Sequence, residues 1–261
     1  MQLGVKLKTK AFTLIELLVV IAIIAMLMAV LVPSLARAKE QGREVYCQSN
    51  LRQMHIAAMV YAESQRGFYP ISQYTIFTAA EITQFCWDFT TRQFSSGVTK
   101  TSPGILWQGD TIDKIQQCPS FRGSSNTMSD PYTGYNYNTS FIGHGQNESI
   151  LQSSRTQDVR RPSGCVLFGD GETIMGANKY MRSPLRSDSD GFSGRWSGTQ
   201  GFRHSLSTNL VWCDGSAASK DQVFTGDKTG QTREKLESYN RKHPRSPIGF
   251  ISADNSAYDL R

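Results

Sequence analysis

At 261 residues the chain is long enough for one compact domain plus an extended element, or for two small domains. Hydrophobic residues make up 39%, but much of that content sits in one block near the start; the rest is rich in Ser, Thr, Gly, Asn and Tyr, as in β-rich, loop-rich domains. The formal charge of +6 falls to about +3 once Lys6, Lys8 and Lys10 ahead of that block are set aside, too little to argue for a nucleic-acid partner.

Residues 12–32 read FTLIELLVVIAIIAMLMAVLV. A run of this length, at about 1.5 Å per residue, spans about 30 Å, the hydrocarbon thickness of a bilayer. Its length, with its Leu, Ala and Met content, predicts a helix rather than a strand. Lys6, Lys8 and Lys10 place its N-terminal end on the cytoplasmic side and send the bulk of the chain across. A secretory signal would end in a small-x-small cleavage site, whereas this run leads straight into Pro33-Ser34-Leu35-Ala36-Arg37. A plain anchor leaves Glu16 unexplained, because a carboxylate inside a bilayer costs about 2.5 kcal/mol or more. Glu16 lies six residues past Lys10, so snorkelling to the interface is the bland alternative.

The segment Lys10-Ala11-Phe12-Thr13-Leu14-Ile15-Glu16 resembles the processing motif of type IV prepilins and type II secretion pseudopilins. The resemblance implies a leader over residues 1–11, cleavage by a prepilin peptidase between Ala11 and Phe12, and N-methylation of Phe12. The family usually carries Gly before the cut; here Ala11, the next smallest residue, stands there, so slower cleavage is expected. The family role gives Glu16 a partner, the α-ammonium at Phe12 of a neighbouring subunit. Such a pair compensates two costly charges and sets the register between subunits.

Residues 34–65 continue the helical pattern. Leu35, Ala38, Gly42 and Val45, then Cys47, Leu51, Met54, Ala58 and Tyr61, recur at helical spacing, with charges largely on other faces. With the apolar run they predict one helix of about 54 residues and about 80 Å, kinked or locally melted at Pro33 and weakened at Gly42. The stripe from Cys47 to Tyr61 is the expected packing face, and Gly67-Phe68-Tyr69-Pro70 ends the helix.

Beyond residue 67 there is no internal repeat. Residues 68–117 mix short helical and loop patterns with aromatics, and Tyr132–Phe141 reads as a strand with a turn at Gly134. Cys165–Phe168, ended by a Gly169-Asp170-Gly171 turn, and Asn209–Cys213, followed by Asp214-Gly215, are apolar runs with a hairpin-turn signal and are expected to share an antiparallel sheet on the long helix. The tail from Gly226 to Ser246 reads as a polar surface loop, followed by a short edge strand near Pro247–Ile251.

His204 and Asp214-Gly215 form an H-x9-D-G pattern. It resembles the C-terminal signature of a large group of prepilin-like proteins, as do Cys118-Pro119-Ser120, Gly134-Tyr135-Asn136 and Arg161-Pro162-Ser163. A His and an Asp can form an acid–base pair, but no nucleophile accompanies them. The favoured reading is structural, with His204 bonding to the hairpin and Asp214 making an Asx turn.

The five cysteines, Cys47, Cys86, Cys118, Cys165 and Cys213, lack a C-x-x-C pair, and the four histidines lack metal spacing. No metal site is therefore expected, apart from a weak candidate calcium loop at Asp188 and Asp190. Outside the cytoplasm disulfides are possible, but spacing does not pair them. No P-loop, dinucleotide fingerprint, nucleophile elbow or zinc-protease helix occurs.

The expected fold is α+β: a long N-terminal helix, half transmembrane and half amphipathic, packed on a β-rich pilin-like head with an antiparallel sheet. The expected divisions are a leader (1–11), a transmembrane assembly segment (12–33), an amphipathic continuation (34–66) and a head (67–261). The expected function is that of a pilin-like or pseudopilin subunit of a type II secretion or type IV pilus-like filament, with no catalysis and no cofactor. Its partners would be a prepilin peptidase, other pilin-like subunits and the bacterial inner membrane, with the head periplasmic. The alternative is a membrane-anchored protein whose head binds a polysaccharide or surface ligand.

Overall fold

The computed structural model describes residues 13–107, 117–124, 134–145, 152–187, 194–226 and 231–261. It divides into two compact units, residues 1–42 and 43–261.

Helix α1 runs over Leu14–Ser64, and its helical assignment is unbroken across Pro33 and Gly42. Pro33 lacks the N–H that would bond back one turn. Nearby, the Ser34 hydroxyl donates to the Leu31 carbonyl at 2.8 Å. In the first unit the apolar side chains of this helix, from Leu14 to Leu35, are exposed. It is long and apolar enough to cross a membrane.

In the second unit α1 buries Cys47, Asn50, Leu51, Met54, Ala58 and Ala62. The expected stripe is thus corrected at both ends. Leu35 and Val45 are 70% and 66% exposed, Tyr61 is half-buried, and Asn50 and Ala62 take inward positions. The helix closes where the Gly67 N–H donates to the Ala62 carbonyl at 2.8 Å. Gly67 has φ +86°, the left-handed conformation that glycine adopts without steric cost.

Residues 73–103 depart from the expected helix-and-loop mixture. Strands β1 (Gln73–Phe77), β2 (Glu81–Cys86), β3 (Phe89–Phe94) and β4 (Thr99–Pro103) form an antiparallel meander in chain order. Tyr74 stacks on Phe85 across the first pair at 4.6 Å, a cross-strand contact that favours this register.

The central sheet takes β5 (Tyr135–Asn138), β6 (Val166–Asp170), β9 (Tyr180–Met181), β11 (Thr208–Trp212) and β12 (Ala217–Lys220) in the order β12-β11-β6-β5-β9. Between its members lie the short hairpin of β7 (Glu172–Thr173) and β8 (Gly176–Ala177) and the strand β10 (Gln200–Gly201). The expected pairing of the two apolar strands holds: β6 and β11 are antiparallel, with Val211 opposite Phe168. Only the second Asp-Gly is a hairpin turn, however. Asp214-Gly215 joins β11 to β12, whereas Asp170 ends β6 in ladder register with Tyr135 and Gly171 leads into β7.

Strands β5, β6 and β11 are buried along their whole length, so both faces of the sheet are covered. One face packs Phe168, Tyr137 and Val211 with Leu51, Met54 and Ala58 of α1. The other packs Val166, Met181 and Leu210 with Tyr258. The meander joins this core through Trp87, whose indole N–H donates to the Lys179 carbonyl at 2.9 Å, and through the buried Lys179–Asp88 ion pair at 3.0 Å.

The polar tail forms a helix, α2 (Gln231–Lys242), rather than a loop. Its one buried residue, Leu236, meets Ile248 of β13 (Ile248–Gly249) and Phe250. Leu236 and the partly buried Tyr239 are the two large apolar side chains in twelve residues, too few to mark an apolar period, which hides this helix from pattern reading.

Candidate functional site

Two places carry chemistry beyond packing: the start of α1 and a buried polar cluster in the second unit. At the first, the Thr13 backbone N–H and hydroxyl both donate to Glu16 Oε2 at 2.8 Å, and the Glu16 N–H donates to the Thr13 hydroxyl at 3.2 Å. This is a capping box, in which a Thr and a Glu three residues apart satisfy the otherwise unpaired groups of the first turn. The T-x-x-E spacing of Thr13 and Glu16 is the sequence signature of such a box. Ala11 and Phe12 lie outside the described residues, as do Asp188 and Asp190.

The second place forms around Asp170. The side-chain period of β6 puts Asp170 on the same face as Phe168, the face that packs on α1. An unpaired carboxylate there would be prohibitively costly. Asp170 is completely buried and takes a hydrogen bond from the Asn209 backbone N–H at 2.7 Å and an ion pair from Arg203 at 3.1 Å. His204 Nε2 lies 3.5 Å from Oδ2, and the Cys47 thiol donates to Oδ1, the oxygen that Arg203 also pairs with, at 3.1 Å.

Cys118 completes the group. Its sulfur is 3.4 Å from His204 Nε2 and accepts from Arg203 Nε at 3.2 Å. The loop bearing it is held by Asn50 of α1, whose amide donates to the Gln117 carbonyl and the Tyr135 hydroxyl. Gly134, at φ +114°, passes so close that a Cβ there would lie 2.9 Å from that of Cys118. Arg203 spends its fork on Cys118, Asp170, Glu172 and the Gly134 carbonyl, and lies over the Phe121 ring at 5.1 Å. His204 enters from a tight turn closed by reciprocal hydrogen bonds with Ser207, whose central residues Ser205 and Leu206 have φ +53° and +71°.

These charges respond to one another. Burial opposes ionisation of Cys118, yet its bond with Cys47 and the Arg203 cation bring its pKa down to about 5. Burial likewise works against a charged His204, but its bonds to Asp170 and Cys118 raise it to about 10. Asp170 is held below the usual carboxylate range because Arg203 and His204 outweigh its burial. Burial keeps Glu172 above the ordinary range despite Arg203, and pushes the Cys47 thiol well up.

The H-x9-D-G pattern therefore does not form one centre. The acid beside His204 is Asp170. Asp214 closes its own turn instead, accepting from the Ser216 N–H at 2.9 Å and hydroxyl at 2.6 Å. All five cysteines are buried, and no disulfide links any of them. No spacing rule could have found the cluster, since Cys47, Cys118, Asp170 and His204 are dozens of residues apart.

Residues 6–32 match the family model described as the prokaryotic N-terminal methylation motif. No curated protein and no solved structure matches the chain. The motif supports a prepilin-like precursor processed by a peptidase.

Proposed function

We propose that the chain is a pilin-like structural subunit, cut before Phe12, N-methylated there, and assembled through its N-terminal helix into a type II secretion or type IV pilus-like filament. The leader stays cytoplasmic, the helix sits in the bacterial inner membrane, and the head is extracytoplasmic. The observation that carries the reading is the methylation motif over residues 6–32, which overlaps the start of a helix whose apolar side chains, Leu14 to Leu35, are exposed among the described residues. A helix of that composition must be covered by lipid or by other helices, and a filament supplies the second after the membrane has supplied the first.

Glu16 has two roles in this account. In the single chain it caps its own helix through Oε2. A carboxylate has about four acceptor positions, so it can keep the cap and also receive the ammonium of a neighbouring Phe12.

Intact-mass analysis of the membrane-extracted protein is expected to find a chain that begins at a methylated Phe12. Glu16→Val is expected to insert into the membrane normally and to be left out of sheared filaments. A chain retaining its basic leader in cells with an active prepilin peptidase, or normal filament incorporation of Glu16→Val, refutes the proposal.

A further inference from the structure

The geometry points to a divalent transition-metal site of the zinc type in the head, formed by Cys47 Sγ, Cys118 Sγ, His204 Nε2 and a carboxylate oxygen of Asp170. One donor atom from each of the four residues lies within 4.8 Å of all the others, and all four residues are buried. Zinc bonds of about 2.3 Å to sulfur and 2.0–2.2 Å to nitrogen or oxygen give a tetrahedron whose edges are about 3.3 to 3.8 Å. The separations Cys118 Sγ–His204 Nε2 and His204 Nε2–Asp170 Oδ2, at 3.4 and 3.5 Å, match such edges, and Cys47 Sγ lies 3.1 Å from the other carboxylate oxygen, Asp170 Oδ1.

The donor set selects the class of ion. Two thiols and an imidazole suit zinc and its soft or borderline neighbours, whereas calcium and magnesium take oxygen. Thiols are weak hydrogen-bond donors, so the Cys47 thiol turned on the Asp170 carboxylate gains little as a purely hydrogen-bonded contact. Four protein donors with no solvent exposure fit a closed structural site rather than a catalytic one, which keeps a position open to water.

The surroundings fit as well. Asp170 is oriented by the Asn209 N–H, and Arg203 bonds to both Asp170 and Cys118, the kind of outer contact that positions ligands. Two thiolates and a carboxylate exceed the charge of a divalent ion by one, and the adjacent guanidinium supplies the difference. Binding needs both thiols deprotonated and the imidazole neutral, so loading releases protons to solvent. The ion would tie together α1, the loop at residues 117–124, the end of β6 and the His204 turn, four segments that meet only in the folded head.

The test uses the full chain, purified in mild detergent, reduced, and titrated with Co2+. Thiolate-to-cobalt charge-transfer absorption in the near ultraviolet and tetrahedral d–d bands are expected, saturating at one ion per chain and abolished by Zn2+. Cys47→Ser and Cys118→Ser should each lose charge-transfer intensity and weaken binding at least tenfold, while Cys86→Ser, a buried thiol outside the cluster, should not. Absence of the charge-transfer band in the reduced wild-type chain overturns the assignment. So does full intensity in both cluster variants, or a Cys47–Cys118 disulfide in peptides from the unreduced protein as isolated. If the variants fail to fold, the wild-type titration decides alone. The measurement reads the isolated subunit, so its failure leaves filament assembly untouched, and a failure of assembly leaves the metal site standing.

Discussion

Two stretches of α1 obey opposite rules. Between Leu14 and Leu35 large apolar side chains are exposed, whereas Cys47, Leu51, Met54 and Ala58 have no exposure at all. The first stretch is uncovered by the described residues of the chain, and water is a poor solvent for it. The second is satisfied within the head, down to a buried network in which Arg203, His204, Asp170 and two thiols balance one another. Stability of the head should therefore be independent of substitutions in the first stretch and steeply dependent on those in the second.

The most severe expected break is Asp170→Ala. It leaves Arg203 and His204 buried without their shared carboxylate, and loss of one partner of a buried pair costs about 3–5 kcal/mol. Urea unfolding followed by tryptophan fluorescence, with chelator present to isolate the protein's own charges, should show this. A loss below about 1 kcal/mol would mean the network does not neutralise itself as described.

Next comes the direct contrast between stretches. Met54→Ala removes a fully buried side chain and should cost about 2–5 kcal/mol. Leu35→Ala, at an exposed position of the same helix, should stay within about 0.5 kcal/mol in the same assay. Equal effects would erase the distinction.

A smaller effect belongs to the capping box. Thr13→Ala removes the hydroxyl that bonds Glu16 and should destabilise the helix start by about 0.5–2 kcal/mol. Hydrogen exchange in micelles should rise over residues 14–17 and stay unchanged in the head.

The smallest is a pH effect at Asp214. Hydrogen bonds from the Ser216 hydroxyl and backbone hold its carboxyl below the usual range. Its contribution is present above the ordinary Asp value of about 4 and fades as pH falls through the lower folded-state value. Asp214→Asn cannot titrate, so it should be slightly less stable than wild type at neutral pH, and the difference should close as pH falls through the acid range. The carboxyl is largely solvated, which keeps the effect small.

The local features were legible because each depends on neighbours in the chain. The apolar run, the glycine cap at Gly67, the paired apolar strands around Phe168 and Val211 and the Asp214-Gly215 turn all follow from short-range periodicity or turn chemistry. The meander at residues 73–103 escaped because its strands, such as FTTRQF and TKTSP, carry polar residues on both faces and lack clean alternation. The H-x9-D-G pattern points to the Asp214 turn but not to the acid that faces His204. Nine residues of spacing say nothing about which acid the folded sheet brings beside His204, and that acid is Asp170.

What the sequence determined by itself was the membrane-length helix, its processing motif and the strand-rich character of the rest, since these rest on composition and on contacts a few residues long. Only the tertiary structure decided which face of α1 is buried and which acid, thiols and guanidinium surround His204. Those choices depend on side chains separated by up to about 160 positions, and burial alone makes their pairing energetically necessary.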